Sequence, residues 1–447
     1  MAPNKLRKCR KCQPARRTRS QAASESEECV AAVAGPALLL PQHIVLEVFS
    51  YLEPREIVRA RSVARAFVRD APALVNSLAC SARLRFPPAH EMNLFPHMAE
   101  VILDGDNSLV QQAAPALARC NSLRRLTIVR GLPQQLPLTV GVTKIICGLQ
   151  LSDLDIRRVR IVVPAGLAVT AWRTLNTLVL RDAGVGDLDL ANLVGSLPGT
   201  MLPLRHLDLS RNPLGEMHGM QSLARAISAF SDLQILELTA NRLSDSGAKL
   251  LLGALLDGAC PRLAQLELSL NFLGNDSIDF LAYGLKREGH GLRALQKIGI
   301  GGRFRAIQCV TNFEALGRSL AAAGLPRLRY LHVQGDVGPA EVGPVLRQLR
   351  SGACPELGTV KVERSTRFHP EENPAAIEDA IESMLELVTS DRAPRLEEVH
   401  VLGMNLGKGL ERGRAPEDAT TFYRATDKSS FHRLAAAGAN RGVMVFV

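Results

Sequence analysis

The sequence predicts an α/β solenoid, a horseshoe with parallel strands on one face and helices on the other, preceded by a small all-helical module. Three observations predict it. The phrase L-x-x-L-x-L-x-x-N-x-L begins at Leu204, Leu233 and Leu263, in steps of 29 and 30 residues. Behind each phrase the apolar residues change to three-and-four spacing. Residues 37–85 show neither pattern.

Residues 1–36 are expected to form a disordered basic tail. The 447 residues carry a formal net charge of +10, and Lys5, Arg7, Lys8, Arg10, Lys11, Arg16, Arg17 and Arg19 all precede the first acid. About half of the excess charge therefore sits in a segment without hydrophobic periodicity. A nuclear import signal and a merely solvated tail are both compatible with it. Specific nucleic-acid readout is not expected, because no aromatic residues interleave with the basic ones. Cys9-x-x-Cys12 has the spacing of half a zinc site, but no second ligand pair accompanies it, so no metal is expected. The longest weakly polar run, Val30–Leu40, is too short to span a bilayer and contains Gly35 and Pro36. It also lies behind Glu25, Glu27 and Glu28, which does not suit a secretory signal. Nine cysteines without framework spacing suit a reducing compartment, and the cytoplasm or nucleus is the expected location.

Residues 37–85 read as a helix over 42–51, a break at Glu53-Pro54, a short helix around Ile57 and Val58, and another through Val63 and Phe67. Ile44, Val48 and Leu52 form one apolar row, and Val45 with Phe49 forms a second. A helix apolar on more than one side must be covered on more than one side. So short a module is marginal alone and needs a partner chain, the repeats, or both.

Residues 90–447 carry the repeats. The fourth to seventh positions of each phrase alternate, which is a short strand with one face inward. Ala248, Leu251, Leu252, Leu255 and Leu256 form a helical stripe; Val342, Val345, Leu346 and Leu349 form another, and Ile377, Ile381, Met384, Leu385 and Val388 a third. One strand and one helix cannot enclose a core, but a stack of them can. Weaker copies begin at Leu123, Leu151, Leu175, Leu295, Leu328, Leu357 and Leu396, and a frayed one near Met98. Asn212, Asn241 and Asn271 fall at one turn of successive units, where an amide can satisfy backbone groups. Residues 129–150 show no clean helical stripe, Arg364 to Pro374 reads as an inserted loop, and "GVMVFV" at the end as a closing strand. This spacing resembles leucine-rich repeats, and the long helical units are most similar to the ribonuclease-inhibitor subclass.

The fifth position of each phrase points away from the core. In order it is Thr127, Asp155, Val179, Asp208, Glu237, Glu267, Gly299, His332, Lys361 and His400. Asp208, Glu237 and Glu267 are thus expected side by side, with His332 and Lys361 changing the sign farther along. These five are the candidate contacts for a protein substrate, and basic residues on that substrate would relieve the repulsion among the acids.

"LPQHIVLEVFSYLEPREIVRARSVARAF", from Leu40, resembles an F-box. Leu40 and Pro41 match the family's opening pair, and Ile44, Val48 and Phe49 the apolar positions of its first helix. Leu52 precedes the break. Ile57, Val63 and Phe67 match apolar positions after the break, with Ala64 and Phe67 standing where cysteine and tryptophan are usual. The resemblance implies docking to the Skp-family adaptor and, through it, to the cullin of a ubiquitin ligase, with the repeats binding a target protein. From the residues alone, the same stretch also fits an N-terminal cap on the first repeat.

No catalytic constellation is found, and no cofactor is expected. "GMNLGKGL" at 403 has the wrong spacing for a phosphate loop, with Gly409 where Ser or Thr would hold magnesium. The chain thus reads as a non-enzymatic receptor of a ubiquitin ligase; a ubiquitin-independent inhibitor or GTPase-activator-like solenoid is the other class.

Overall fold

The computed structural model describes residues 77–81, 97–105, 107–129, 137–165, 173–195, 197, 201–215, 217–302, 313–323, 325–335, 337–352, 354–364, 374–402 and 428–446. The chain divides into two compact units, Met1–Val75 and Asn76–Val447. The adaptor-binding candidates Leu40, Pro41, Ile44, Val48, Phe49, Leu52, Ile57, Val63 and Phe67 lie outside the described residues, as do the inserted loop at 365–373 and the glycine-rich stretch from 403.

The second unit is one sheet of thirteen strands in chain order. The strands are β1 (Ser77–Ser81), β2 (Glu100–Asp104), β3 (Arg125–Val129), β4 (Asp153–Arg157), β5 (Thr177–Arg181), β6 (His206–Asp208) and β7 (Ile235–Glu237). Next come β8 (Gln265–Asn271), β9 (Lys297–Gly302), β10 (Tyr330–Gly335), β11 (Thr359–Arg364), β12 (Glu398–Leu402) and β13 (Met444–Phe446). Every strand pairs with its sequence neighbours in parallel. Parallel pairing requires a crossover each time, and helices supply most of them. They are α1 (Asn107–Leu117), α2 (Val140–Gly148), α3 (Asp187–Gly195), α4 (Met217–Ala226), α5 (Asp245–Leu256), α6 (Asn275–Leu285), α7 (Phe313–Ala323), α8 (Pro339–Leu349), α9 (Pro374–Thr389) and α10 (Lys428–Arg441).

The core lies between strands and helices. Leu204, Leu207, Leu209 and Leu214 of one phrase, and the matching leucines of the next two, are all at most 2% exposed. The α5 stripe from Ala248 to Leu256 is equally buried. Each fully buried Leu contributes about 1.5–3 kcal/mol over leaving it in water. Cys260 and Cys354, which share a sequence context, are buried thiols that burial pushes up to about 12 and about 11, so they are packing residues.

Two expectations are corrected. The helical module is expected to run to 85 and the repeats to start at 90, yet Ser77–Ser81 is a strand paired with β2, so the sheet begins earlier. Five residues with a single leucine give no phrase to recognise. Residues 129–150 do contain a helix, α2, whose stripe of Val142, Thr143, Ile146 and Cys147 is weakly apolar. Its first turn is fixed by Thr139, whose side-chain oxygen accepts the Val142 N–H. The closing strand is present as β13.

The asparagines do what their spacing predicts. Asn212 Oδ1 accepts the N–H groups of Ala183 and Val185, and its Nδ2 donates to the carbonyls of Leu180 and Leu209. Asn241 Oδ1 accepts from Asn212 N–H at 2.7 Å, and Asn271 Oδ1 from Asn241 N–H at 2.8 Å. The ladder fixes a turn with one left-handed residue per unit, at Asp182, Arg211, Ala240 and Leu270.

Candidate target-binding surface

The parallel register sets the middle residue of each strand beside the next. Asp155, Val179, Asp208, Glu237, Glu267, Gly299, His332, Lys361 and His400 form one row across β4 to β12. Adjacent members are about 4.8 Å apart.

The three acids differ in their surroundings. Asp208 is only 4% exposed, and its Oδ1 accepts the Ser210 N–H at 2.8 Å. Glu237 is half-buried; burial and the neighbouring Asp208 raise its carboxyl above the usual range, against weaker opposing effects of His206, Lys297 and Arg181. Glu267 accepts from the Ser269 N–H and hydroxyl and faces Lys297 Nζ at 3.5 Å. The row is therefore a recessed acidic surface, with less water around Asp208 than an outward strand position implies.

Glu267 finds room because its neighbour is glycine. A Cβ on Gly299 would overlap the Glu267 carboxylate, and one on Gly301 (φ +154°) would overlap the Gln334 carbonyl. β9 reads Lys-Ile-Gly-Ile-Gly-Gly, so it offers no side chains between β8 and β10 after Lys297 on this face. The two flanking strands meet over it. Ser269 Oγ lies 3.3 Å from His332 Nδ1, and Gln334 Oε1 accepts the Leu270 N–H at 3.2 Å.

The residues expected to reverse the sign are already matched. His332 Nε2 is 3.3 Å and Lys361 Nζ 2.7 Å from Glu363 Oε2. The hydrogen bond from His332, with that from Lys361, outweighs burial and holds the Glu363 carboxyl down at about 2. Ser269, Gln334 and Glu363 are absent from the residues that the sequence pattern singles out; the run of glycines in β9 is the signal that could have found the first two.

Ser269, His332 and Glu363 have the order of a nucleophile relay. Ser269 is only 3% exposed, however, and gives its hydroxyl proton to Glu267, so the arrangement is a structural bridge. Among the described residues no group of His, Cys, Asp and Glu could hold a metal ion, and no helix is long and apolar enough to cross a membrane.

Residues 37–69 match the protein family described as F-box-like, over the segment where the resemblance is expected. No curated protein matches the chain. Among solved structures it is similar to the crystal structure of a TLR13–ssRNA13 complex, with 14% identity over 74% of this chain and a TM-score of 0.32. The chain spans 49% of that protein. The chain thus combines an F-box-like segment with a parallel α/β solenoid of leucine-rich-repeat type.

Proposed function

We propose that this chain is the substrate-recognition subunit of a cullin–RING ubiquitin ligase, acting without catalysis of its own in the cytoplasm or nucleus. The observation that carries the reading is the F-box-like match at 37–69 standing in front of a long repeat sheet. In this reading Leu40, Pro41, Ile44, Val48, Phe49, Leu52, Ile57, Val63 and Phe67 dock a Skp-family adaptor, and the sheet binds the target. Asp208, Glu237 and Glu267 receive basic side chains of that target, and His332 and Lys361 border the contact. Their mutual repulsion in a recessed site is what a bound cation would relieve, and Lys297 reaches only Glu267.

Adaptor pull-down tests the reading. Replacing Leu40 and Pro41 by Ala together with Phe49→Asp should abolish adaptor and cullin recovery, because a buried unpaired carboxylate costs several kcal/mol. Circular dichroism of the repeats should be unchanged, since each unit is held by its neighbours. Undiminished adaptor recovery from that variant would sink the assignment.

A further inference from the structure

Arginines on this molecule fall into two groups. Along the helical side and the loops leading into the strands, acids from neighbouring units meet them. Arg262 pairs with Asp232, Arg287 with Asp257, Arg329 with Glu356 and Arg347 with Asp379, at 2.7–3.1 Å. Beyond the other ends of β4 to β7, Arg158, Arg160, Arg211 and Arg242 are exposed and make no ion pair among the described residues. Arg181, at the end of β5, makes none either and acts on Glu237 only at longer range.

The turns bring these arginines together. The N–H of Arg158 bonds to Arg181 O, that of Asp182 to Ser210 O and that of Arg211 to Thr239 O, so residues 158, 182, 211 and 240 continue the strand register as one row. Two residues farther on, 160, 184, 213 and 242 form the next. Gly184, with φ +64°, lets Arg160 lie across it; a Cβ there would stand 2.9 Å from Arg160 Cγ. The result is a cleft of about 570 Å³ whose wall includes Asp182, Gly184, Arg211, Pro213, Arg242 and Leu270. Asp182 is the one carboxylate on that wall, against exposed guanidinium groups on both sides of it.

We propose that this cleft binds an oxyanion-bearing segment of a partner protein, a short run of carboxylates or a phosphorylated side chain. Guanidinium groups without internal partners can take such oxyanions in bidentate fashion. Three strand spacings separate Arg160 from Arg242, about 14 Å, the length of roughly four extended residues. A nucleic-acid backbone fits less well, because its continuous negative charge would run against Asp208 and Glu237 on the same face. A protein segment can place acids over the arginines and bases over the carboxylate row. In that respect the inference rests on the sheet being the target surface, and on nothing about the adaptor.

Fluorescence polarisation on the full-length protein tests it with three labelled probes: an octapeptide with four consecutive glutamates, its counterpart with two phosphoserines, and a single-stranded RNA 12-mer. One or both peptides should bind, more weakly as salt rises, and the better one identifies the source of the oxyanion. The Arg211→Gln/Arg242→Gln variant should lose about tenfold or more in affinity, which is about 1.4 kcal/mol. The Arg262→Gln/Arg287→Gln variant should stay within about twofold, since those arginines are matched internally. Should the Gln pair fail to fold, Arg211→Lys/Arg242→Lys keeps the charge and should bind with intermediate affinity. Asp208→Asn/Glu237→Gln/Glu267→Gln reports on the acidic row separately and should leave peptide affinity the same or tighter. Binding of neither peptide, equal binding by the Arg211/Arg242 variants and wild type, or tighter binding of the RNA would overturn the proposal.

Discussion

The stretch from β6 to β8 and the stretch from β10 to β12 use the same sheet in opposite ways. In the first, Asn212, Asn241 and Asn271 secure the turns from beneath, each at most 1% exposed. The strand surface above them is left with three adjacent carboxylates, and the lip beside it with unmatched arginines. In the second, the sequence has Asp336, Ser365 and Met404 at the ladder position. There the strand surface is knitted together: His332 and Lys361 close on Glu363, and His400 bonds Glu398 at 3.0 Å while stacking on Phe446 at 4.2 Å. Where buried amides hold the turns, the side chains above stay uncommitted. Only uncommitted charge can be offered to a partner without first breaking an internal contact.

Removing an amide from the first stretch should have the largest effect. Asn271 Oδ1 accepts from Asn241 and Leu243 N–H, and its Nδ2 donates to the carbonyls of Leu238 and Leu268. Asn271→Ala leaves these buried groups unpaired and should cost about 3 kcal/mol in urea unfolding. Hydrogen exchange should accelerate first in β7 to β9, because coupling is between neighbours. A loss below about 1 kcal/mol would mean that the ladder is not what frees the strand surface.

In the second stretch the corresponding change is Glu363→Gln, which should cost about 1–2 kcal/mol at neutral pH once partial solvent screening is allowed for. The folded carboxyl titrates at about 2, below its ordinary 4.5. Its contribution is therefore complete above pH 4.5 and is lost as pH falls towards 2. Thermal melts between about pH 6 and about pH 2.5 should show that the variant lacks this part of the acid dependence.

Most of this architecture is legible because repetition multiplies a weak signal. Leu204, Leu233 and Leu263 repeat in phase, so strand register and the ladder can be read from spacing alone. β1 and α2 are not legible, because one lacks the leucine phrase and the other builds its stripe from Val, Thr, Ile and Cys. The row from Thr127 to His400 is readable as a row, but the surroundings of its members are not. Asp208 is buried by what curves around it, and His332 is bound to Ser269, 63 residues earlier, across a strand whose glycines provide the passage. Such contacts depend on what a neighbouring strand lacks. The lip arginines escape notice for a related reason: a sequence shows charges, and only the fold shows which of them go unmatched.

The smallest effect sharpens the comparison most, because its sign differs. Burial and Asp208 raise the Glu237 carboxyl above its ordinary range, the reverse of Glu363. The folded state therefore holds a proton on Glu237 at pH values where the unfolded chain has released it. Stability falls as pH rises through that window, and at neutral pH the charged group carries a penalty. Glu237→Gln keeps the shape and removes the penalty, so it should raise stability at neutral pH by up to about 0.5 kcal/mol. The same variant should weaken capture of a basic target segment, because one of the three carboxylates is gone. Thermal melts at neutral pH of Glu237→Gln beside Glu363→Gln decide the matter. Opposite signs mean that β6 to β8 hold charge in reserve for a partner; destabilisation by both would show that these acids, too, are committed to the fold.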